Sequence, residues 1–320
     1  MKQDGNNAKY PDQKTEEPSV NDNEAIRYLE QSDQYRVIQR LNAPDHYQAG
    51  KASTPRIGIV IDTEATGLDT ARDKIIELGF VAFEYDAGSG LIYRILHIYD
   101  AFEDPGEPLS DIVKQITGIT DKMLTGQKLD EDTANLWLEK ADLIIAHNAA
   151  FDRQMLERRL PVTTKANWAC TQKDIPWQDE DISSLKLDYI AYKLGFFFDG
   201  HRAVNDAQAT LHLLTRPLPR SGKRVMSTLL ATAREKSSRI FAVRAPFEKK
   251  DDLKARGYRW LPDFTYDGKK GVWSIAVSAA DSEAEQQWLS EHVYKVKTVS
   301  FVVRDITAKE RYSFREFMAA

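Results

Sequence analysis

The sequence predicts a mixed α/β domain whose sheet is flanked by helices, followed by a smaller α+β domain. Short apolar runs rich in Ile and Val, typical of buried strands, stand at RIGIVIDTEA (56–65) and DLIIAHN (142–148). Two further β-rich runs, 74–86 and 91–102, are separated by the turn-like AGSG, which predicts a hairpin. Helical patterns follow these strands, and that order favours a mixed sheet covered by helices.

An N-terminal extension, residues 1–55, precedes this core domain. Residues 1–23 are polar and carry no periodicity, so we expect them to be disordered. Residues 23–41 are predicted to form a helix, because five apolar side chains fall on one helical face. They are Ile26, Leu29, Tyr35, Ile38 and Leu41. Two outcomes are open. The extension either docks on the core domain through Tyr35, Ile38 and Leu41, or stays loose.

Five helices are predicted within the core domain, residues 56–215. They are SDIVKQITGI (110–119), DEDTANLWLEKA (130–141), AFDRQMLERRL (150–160), SLKLDYIAYKLG (184–195) and AVNDAQATLHLLTR (203–216). Ser110 is the expected N-cap of the first helix. Pro161 is expected to end the third, and Gly195 the fourth.

A hinge is predicted at RPLPRSGKR (216–224), which contains two prolines and one glycine. A short helix follows at 226–236 and either belongs to the hinge region (216–238) or packs on the first domain. Residues 239–320 then read β-α-β-β-α-β. That order is typical of a ferredoxin-like unit, so we expect a small α+β domain there.

The two halves of the chain differ in charge. Residues 1–215 carry a net charge of −13, and residues 216–320 carry +8. An acidic half would repel a polyanion unless cations filled its site, whereas a basic half could hold that polyanion. The alternative is that charge merely drifts along the chain.

The basic half also carries aromatic residues among its cations, a combination that single-stranded nucleic acid can use. We expect the aromatic side chains to fill a small core, and the basic face to contact nucleic acid. The aromatic residues are Tyr258, Trp260 and Trp273, and the cations are Lys249, Lys250, Lys254, Arg256 and Arg259.

The composition predicts a cytoplasmic protein. No stretch approaches about 18 uninterrupted apolar residues, the length of a membrane span, and the N-terminus lacks the apolar core of a secretory leader. Cys170 is the single cysteine, and one thiol favours a reducing compartment. Its apolar neighbours predict a small buried hydrophobe rather than a nucleophile.

Two carboxylates stand two residues apart on the first apolar strand. Asp62 and Glu64 would therefore point to the same side of the sheet and repel each other. A divalent cation would remove that conflict, because hard cations take oxygen ligands. Ordinary surface alternation also produces such pairs, but the Ile and Val neighbours favour a metal site.

Three more groups carry chemistry further along the chain. Asp152 follows the strand DLIIAHN in the first turn of a helix, where an acid also favours the helix dipole without any function. His201 and Asp206 stand five residues apart, one in a loop and one at the start of a helix. A mobile loop can bring a histidine over a site while the helix holds a carboxylate there. A solitary histidine is more often structural.

Together these segments resemble the DEDDh (DnaQ-like) 3'→5' exonucleases. The family has a DxExTG strand, a later HNxxFD segment and a final Hx4D that opens a helix. The matching residues are Asp62, Glu64, Thr66, Gly67, His147, Asn148, Phe151, Asp152, His201 and Asp206. TGIT at 117–120 also resembles a family segment. The resemblance covers residues 56–215, about half of the chain, and histidine rather than tyrosine in the last motif indicates the DEDDh subfamily.

The resemblance implies an RNase H-like fold and hydrolysis of a phosphodiester bond at a 3' end, releasing a nucleoside 5'-monophosphate. It implies two Mg²⁺ or Mn²⁺ ions held by Asp62, Glu64, Asp152 and Asp206, with His201 as general base. The implied contacts to the terminal nucleotide are Ala65, Thr66, Gly67, Leu68, His147, Asn148 and Phe151. Many family members have threonine where this chain has Ala65, so we expect altered affinity or sugar preference there.

We therefore expect a metal-dependent exonuclease acting on single-stranded DNA ends, of the proofreading or repair type. RNA trimming or oligoribonucleotide degradation stays open, because discrimination of the 2'-hydroxyl depends on contacts that the motifs do not specify. A catalytically idle protein that binds nucleic-acid ends is the alternative outside enzymes. The sequence does not determine the oligomeric state or a polymerase or repair partner.

Overall fold

The N-terminal extension contains a shorter helix than the sequence predicts. The computed structural model describes residues 20–266, 268–294 and 301–317. Helix α1 spans Val20–Glu30, and the two-residue strand β1 spans Gln39–Arg40.

The predictions for residues 1–41 are therefore corrected in two places. Residues 20–23 are helical rather than disordered, and residues 1–19 lie outside the described part of the chain. The helix predicted to reach residue 41 is wrong beyond Glu30. The physical reason is that Leu41 packs on the core of the larger domain. Just before it, the extended backbone of Gln39 and Arg40 pairs with a short strand of that domain. Tyr35 is 57% exposed and is not part of that docking contact.

A five-stranded mixed sheet forms the centre of the larger domain, as predicted. Its strands are β2 (Pro55–Ala65), β3 (Ile75–Asp86), β4 (Ile92–Phe102), β5 (Leu143–Ala146) and β6 (Trp168–Cys170). The order across the sheet is β4-β3-β2-β5-β6. β2 pairs antiparallel with β3 and parallel with β5. β3 also pairs antiparallel with β4, and these two strands form the predicted hairpin. The central strand is therefore the one that carries the two carboxylates.

Helices cover both faces of this sheet. They are α2 (Asp111–Thr117), α3 (Asp121–Leu124), α4 (Glu131–Lys140), α5 (Ala149–Arg159), α6 (Leu187–Lys193), α7 (Ala203–Thr215) and α8 (Val225–Arg234). Strand β7 (Phe196–Phe197) lies between α6 and α7 and pairs parallel with β1. In the described part of the chain, the helices are all too short or too polar to span a bilayer.

The predicted helix ends agree with the structure. The Ser110 hydroxyl accepts a hydrogen bond from the backbone N–H of Val113 and caps α2. Pro161 follows the end of α5 and begins a 3₁₀ turn. Gly195 follows α6 with φ of +90°, a conformation that glycine adopts without a Cβ penalty.

Two apolar cores lie on opposite faces of the sheet. Val60, Val81 and Ile145 pack against α6, α7 and α8, whereas Ile61 and Phe80 pack with α4 and α5. Alternation along β2 therefore turns Asp62 and Glu64 towards α7, and turns Thr63 towards α5. Cys170 is fully buried in the second core, as predicted.

The segment predicted as a hinge is a turn that packs on the larger domain. Pro217 forms a β-bridge with Arg224, and Leu218 between them is buried. The Glu180 carboxylate accepts the backbone N–H groups of Arg220 and Ser221. Since α8 also packs on the first core, the larger domain continues to Arg234 instead of ending at residue 215.

The second domain has the predicted β-α-β-β-α-β order. Its elements are β8 (Ser237–Ala242), α9 (Lys250–Ala255), β9 (Arg259–Tyr266), β10 (Lys269–Ser278), α10 (Ser282–Trp288), a π-helical turn (Leu289–Tyr294) and β11 (Val302–Ile306). The antiparallel order β11-β8-β10-β9 is that of a ferredoxin-like sheet. The last strand was expected from residue 296, but residues 295–300 lie outside the described chain.

The aromatic residues of this domain divide between core and surface. Tyr258 is buried and Trp273 packs on the same core, as expected. Trp260 is 49% exposed, so the expectation of a core position is wrong for this side chain. It lies on edge strand β9, with its ring centre 5.5 Å from that of Trp273.

The chain returns to the larger domain after β11. The Arg153 side chain on α5 is fully buried and donates to the backbone carbonyls of Ala308 (3.2 Å), Lys309 (2.6 Å) and Arg311 (2.7 Å). Its Nε also donates to Glu157 at 2.8 Å. The C-terminal segment, residues 307–317, is thus held by the helix that carries Asp152.

Candidate active site

Three carboxylates from two elements meet at the centre of the sheet. Asp62 and Glu64 lie on β2, and Asp206 lies in the first turn of α7. One carboxylate oxygen from each lies within 4.8 Å of the other two. Among the described residues, this is the group whose spacing suits a metal ion. The structure therefore brings together three of the four residues predicted to hold metal.

The approach of α7 to the sheet depends on Gly79, the cross-strand partner of Asp62 on β3. A Cβ atom at this position would lie 2.2 Å from the backbone N of Val204 and 2.4 Å from the carbonyl C of Ala203. No side chain can therefore stand between β3 and the start of α7. The absent side chain lets Asp206 reach the two carboxylates on β2.

Replacing Gly79 with alanine should displace the start of α7 and weaken the site. We expect a loss of about 1–3 kcal/mol in the free energy of unfolding, as for other overpacked positions. Urea denaturation measures this loss, and calorimetry with Mn²⁺ measures the accompanying loss of cation affinity. Gly88→Ala is the control, because its Cβ would make only an ordinary 3.4 Å contact. Equal effects of the two substitutions would contradict this account.

Asp152 reaches the site from the opposite face of the sheet. It lies on α5, is only 3% exposed, and accepts hydrogen bonds from the Thr63 backbone N–H (3.0 Å) and hydroxyl (2.8 Å). Both bonds go to the same carboxylate oxygen, Oδ1. Asp152 is close enough for its charge to raise the pKa of Asp62 and Glu64. Asp152 therefore lies beside the group of three carboxylates but does not belong to it.

The four carboxylates hold protons unusually tightly, mainly because they are buried. Burial, with the charges of its neighbours, raises the pKa of Glu64 to about 8 and that of Asp62 well above its ordinary value. Burial also raises the pKa of Asp152 to about 7, against hydrogen bonds that lower it, and that of Asp206 to about 6. Such a cluster of negative charge is stable at neutral pH only when protons or cations neutralise it.

The donor set fits a hard divalent cation. All of the available ligand atoms are carboxylate oxygens, which Mg²⁺, Mn²⁺ and Ca²⁺ prefer to nitrogen or sulfur. The one cysteine contributes nothing here, since burial raises the pKa of Cys170 to about 11 and its thiol donates to the His147 carbonyl.

Glu77 is a site residue that the sequence analysis missed. It is the cross-strand partner of Glu64 and is fully buried. Its carboxylate accepts from the Arg202 guanidinium at 2.8 Å and from the Ala203 backbone N–H at 3.1 Å. Glu77 therefore fixes the start of α7 next to His201. The available signal was a lone carboxylate inside the apolar run KIIELGFVAF.

His201 stands in the short loop between β7 and α7, on the solvent side of the cluster. It is exposed, with φ of +64°, a left-handed conformation that is uncommon outside glycine. Its charge lowers the pKa of Asp206, which shows that the two groups are close. The position is accessible to a substrate and to water.

The predicted nucleotide contacts have different environments. Leu68 is 88% exposed, and Asn148 is exposed at the start of α5. Ala65 is buried, and Phe151 is partly buried against the second core. The Thr66 hydroxyl donates to Asp73 and accepts from the Lys74 N–H, and the Thr66 backbone N–H donates to the Lys74 carbonyl at 2.9 Å, so both of these groups are held by the protein.

Gly67 and His147 are enclosed by protein groups. A Cβ at Gly67 would meet the Asp73 carboxylate at 2.5 Å, so any other residue there would have to displace that carboxylate. The His147 ring nitrogens lie 2.8 Å from the Thr171 hydroxyl and 2.7 Å from the Leu185 carbonyl. Burial lowers the His147 pKa to about 4. The structure gives His147 a supporting position, with both ring nitrogens occupied by protein groups.

A sheet of this order with carboxylates on its central strand defines the RNase H-like class. Residues 59–214 match the family model described as Exonuclease. This part of the chain belongs to that family, as an exonuclease domain of the DnaQ-like DEDD type. The DEDDh resemblance of the motifs is thereby confirmed at the level of the family.

Sequence relatives cover the same half of the chain. DNA polymerase III PolC-type of Caldanaerobacter subterraneus subsp. tengcongensis is 30% identical over 170 residues, which are 50% of this chain and 11% of the relative. The PolC-type polymerase of Listeria welshimeri is 32% identical over 161 residues, 48% and 11% of the two chains. The match therefore spans about a tenth of the length of these relatives.

Two solved structures are also similar. Exonuclease X in complex with 5' overhanging duplex DNA has a TM-score of 0.36 and 23% identity, over 55% of this chain and 90% of that one. E. coli Exonuclease I in complex with a dA16 oligonucleotide has a TM-score of 0.43 and 14% identity, over 79% and 64%.

Proposed function

We propose that this protein is a metal-dependent 3'→5' exonuclease that releases nucleoside 5'-monophosphates from single-stranded DNA. The observation that carries the proposal is the meeting of Asp62, Glu64 and Asp206, with Asp152 beside them, in a domain of an exonuclease family. These four carboxylates would hold two Mg²⁺ or Mn²⁺ ions. Bound there, the ions would acidify an attacking water and neutralise charge on the phosphate.

The residues of the chain then have distinct roles. His201 accepts a proton from the attacking water, whose oxygen bonds to the phosphorus of the last phosphodiester. The bond from that phosphorus to the 3' oxygen of the preceding nucleotide breaks, and this oxygen gains a proton. The 5'-phosphate leaves on the released nucleotide. Glu77 and Gly79 set the position of α7, and so of Asp206 and His201.

Exposed groups beside the carboxylates suit the terminal nucleotide. Leu68 is 88% exposed, so its apolar side chain is accessible for a ligand to cover. Stacking or packing against a terminal base would do so. Phe151 and Asn148 lie at the same end of the sheet, at the start of α5, and Asn148 is exposed there.

The second domain favours a longer strand over a very short oligonucleotide. Residues 235–320, which follow the larger domain, hold 16 Lys+Arg against 13 Asp+Glu, a net charge of +3, and Trp260 among them is 49% exposed. Cations with an exposed aromatic ring suit the backbone and bases of single-stranded nucleic acid. RNA trimming is the second candidate, since these features do not read the 2'-hydroxyl.

A replication or repair partner is a further part of the proposal. The sequence relatives are named as DNA polymerases, although this chain matches only about a tenth of their length. A separate exonuclease domain could serve a polymerase in trans, for proofreading, or could act alone in repair. An idle end-binding protein is less favoured, because it would not require all four carboxylates and His201 to be present.

Digestion of a 5'-labelled single-stranded DNA oligonucleotide with Mg²⁺ or Mn²⁺ tests the proposal. We expect a ladder that shortens from the 3' end, mononucleotide products, and loss of activity with EDTA. A matched RNA compares the two substrate classes, and a 3'-phosphorothioate end tests the polarity. No digestion of either polymer by folded protein with metal would contradict the enzyme proposal and favour a binding role.

A further inference from the structure

The N-terminal extension pairs with the strand that leads into the His201 loop. β1 and β7 are parallel, with Gln39 opposite Phe196 and Arg40 opposite Phe197. The Gln39 N–H donates to the Gly195 carbonyl at 3.3 Å, and the Leu41 N–H donates to the Phe197 carbonyl at 2.7 Å. Residues 36–47 lie outside the matched exonuclease region, residues 59–214. A segment outside the family match therefore pairs with the strand that precedes the His201 loop.

Arg40 extends this contact into the loop itself. Its guanidinium donates to the Asp199 carboxylate at 2.6 Å and lies 4.9 Å from the centre of the Phe197 ring. Asp199 is two residues before His201. The two charged side chains are 52% and 75% exposed, so their ion pair contributes little to global stability. Any effect of this ion pair is local, on the loop that carries Asp199.

The same loop is tied to α7 on its other side. The Asn205 side-chain amide donates to the Asp199 carbonyl at 2.9 Å. The backbone at Gly200 lies close to Asp206, because a Cβ added there would be 3.7 Å from an Asp206 carboxylate oxygen. Asp199 is thus held from the extension through its side chain and from α7 through its carbonyl, with His201 just beyond it.

The extension is itself anchored at both ends. Arg36 donates to the carbonyls of Tyr192 (2.8 Å) and Lys193 (2.6 Å) at the end of α6. On the other side, the Tyr47 N–H donates to the Tyr93 carbonyl at 2.8 Å, and Leu41 packs on the first core. A segment fixed at two points can restrain the loop between them.

We propose that residues 36–47 form a brace that positions His201, with Arg40 as its positioning residue. The proposal rests on the proposed role of His201 as general base. A base must lie within hydrogen-bond reach of the proton that it removes. A displacement of about 1 Å can cost up to about 100-fold in rate. The loop is short and exposed, so the brace restricts where the imidazole can lie.

Arg40→Glu in the full chain tests this brace, because it sets a second negative charge against Asp199. We expect kcat on single-stranded DNA to fall by about 10-fold, while KM changes by less than about 2-fold. Arg27→Glu, the same charge change on the exposed surface of α1, is the matched control and should leave kcat unchanged. Restoring the opposite charge, with Arg40→Glu and Asp199→Arg together, should recover most of the lost rate.

A second background separates positioning from general damage. When His201→Ala has already removed the base, Arg40→Glu should lower the residual rate no further. An equal loss in both backgrounds would show that Arg40 acts on the fold and not through His201, and would overturn the proposal. No loss in either background would overturn it as well.

Hydrogen exchange provides a readout that does not need activity. The amides of residues 196–205 should exchange at least about 5-fold faster in Arg40→Glu than in the unchanged protein, while those of β2 and β3 should not change. If the unchanged protein digests no nucleic acid, the proposed function fails, and this measurement still decides whether the brace exists. Unchanged exchange in residues 196–205 would refute the brace whatever the activity.

Discussion

Asp206→Asn should inactivate the enzyme and at the same time stabilise the metal-free protein. We expect kcat to fall by about 10²–10³-fold, since the bound cations contribute several kcal/mol to the transition state. The Asp206 carboxylate accepts a hydrogen bond from the Arg202 backbone N–H at 3.2 Å. The side-chain oxygen of asparagine can accept the same bond, so the start of α7 should be preserved. The stabilisation should arise because one of four mutually repelling carboxylates is removed.

The pH dependence of stability provides the sharper measurement. Folding raises the pKa of Glu64 to about 8 and that of Asp152 to about 7, from ordinary values near 4. At these two groups the folded protein therefore binds more protons than the unfolded chain between about pH 4 and pH 8. Their contribution to stability is complete below this range and is lost as pH rises through it. Without metal, the Tm should drop from pH 5 to pH 8.

Added Mg²⁺ or Mn²⁺ should reverse this drop, because cations replace the lost protons. The increase in Tm at a fixed metal concentration should be larger at pH 8 than at pH 5. Each kcal/mol corresponds to about 2–4 °C for a domain of this size. In Asp206→Asn, both the pH slope and the metal effect should be smaller. A Tm that is independent of pH and metal in the unchanged protein would contradict the cation site.

Arg153→Met should cause the largest loss of stability that we expect from a single substitution. Methionine keeps the apolar stem but removes the Arg153 donor from the carbonyls of Ala308, Lys309 and Arg311. The Ala308 carbonyl still accepts from the Trp168 N–H and the Lys309 carbonyl from Arg315, so the Arg311 carbonyl loses most. The substitution also removes one of the two cations paired with Glu157, which keeps Arg315 as its partner. Removing one member of a buried charged network costs about 3–5 kcal/mol. Urea denaturation should show this loss in the free energy of unfolding.

Lys309→Ala is the matched control for this substitution. The Lys309 side chain is exposed, and only its backbone carbonyl binds Arg153, so the free energy of unfolding should change by less than about 0.5 kcal/mol. Activity should also fall in Arg153→Met, because the helix that holds the C-terminal segment carries Asp152. A stable, fully active Arg153→Met protein would show that the segment is dispensable.

The pattern of the sequence predicted those parts of the fold and site that depend on local order. Asp62 and Glu64 could be found because strand alternation places them on one face, and β3 and β4 because a turn separates two apolar runs. Asp152 and Asp206 follow from their places in the first turns of helices after strands. The β-α-β-β-α-β order also specified the arrangement of the second sheet.

The remaining features depend on contacts between residues distant in sequence, which no local pattern encodes. Glu77 is a single acid in an apolar strand, and its role appears only when α7 brings Arg202 and Ala203 to it. Apolar spacing suggested a helix through residue 41, but strand pairing with β7 decides the conformation near Gln39 and Arg40. Trp260 is 49% exposed, with its ring beside that of Trp273 on the neighbouring strand, a contact that the spacing of aromatic residues does not reveal.

The return of residues 307–317 to α5 has a consequence for the order in which the protein is made. Ala308 carries the first of the backbone carbonyls that Arg153 binds. A ribosome adds Ala308 to the chain 155 residues after Arg153. Until then, a guanidinium that is fully buried in the finished protein must stay solvated or take temporary partners. The larger domain therefore completes its packing only after the second domain has been translated. A fragment ending near residue 215, where the family match stops, would lack the backbone carbonyls that Arg153 on α5 binds in the full chain.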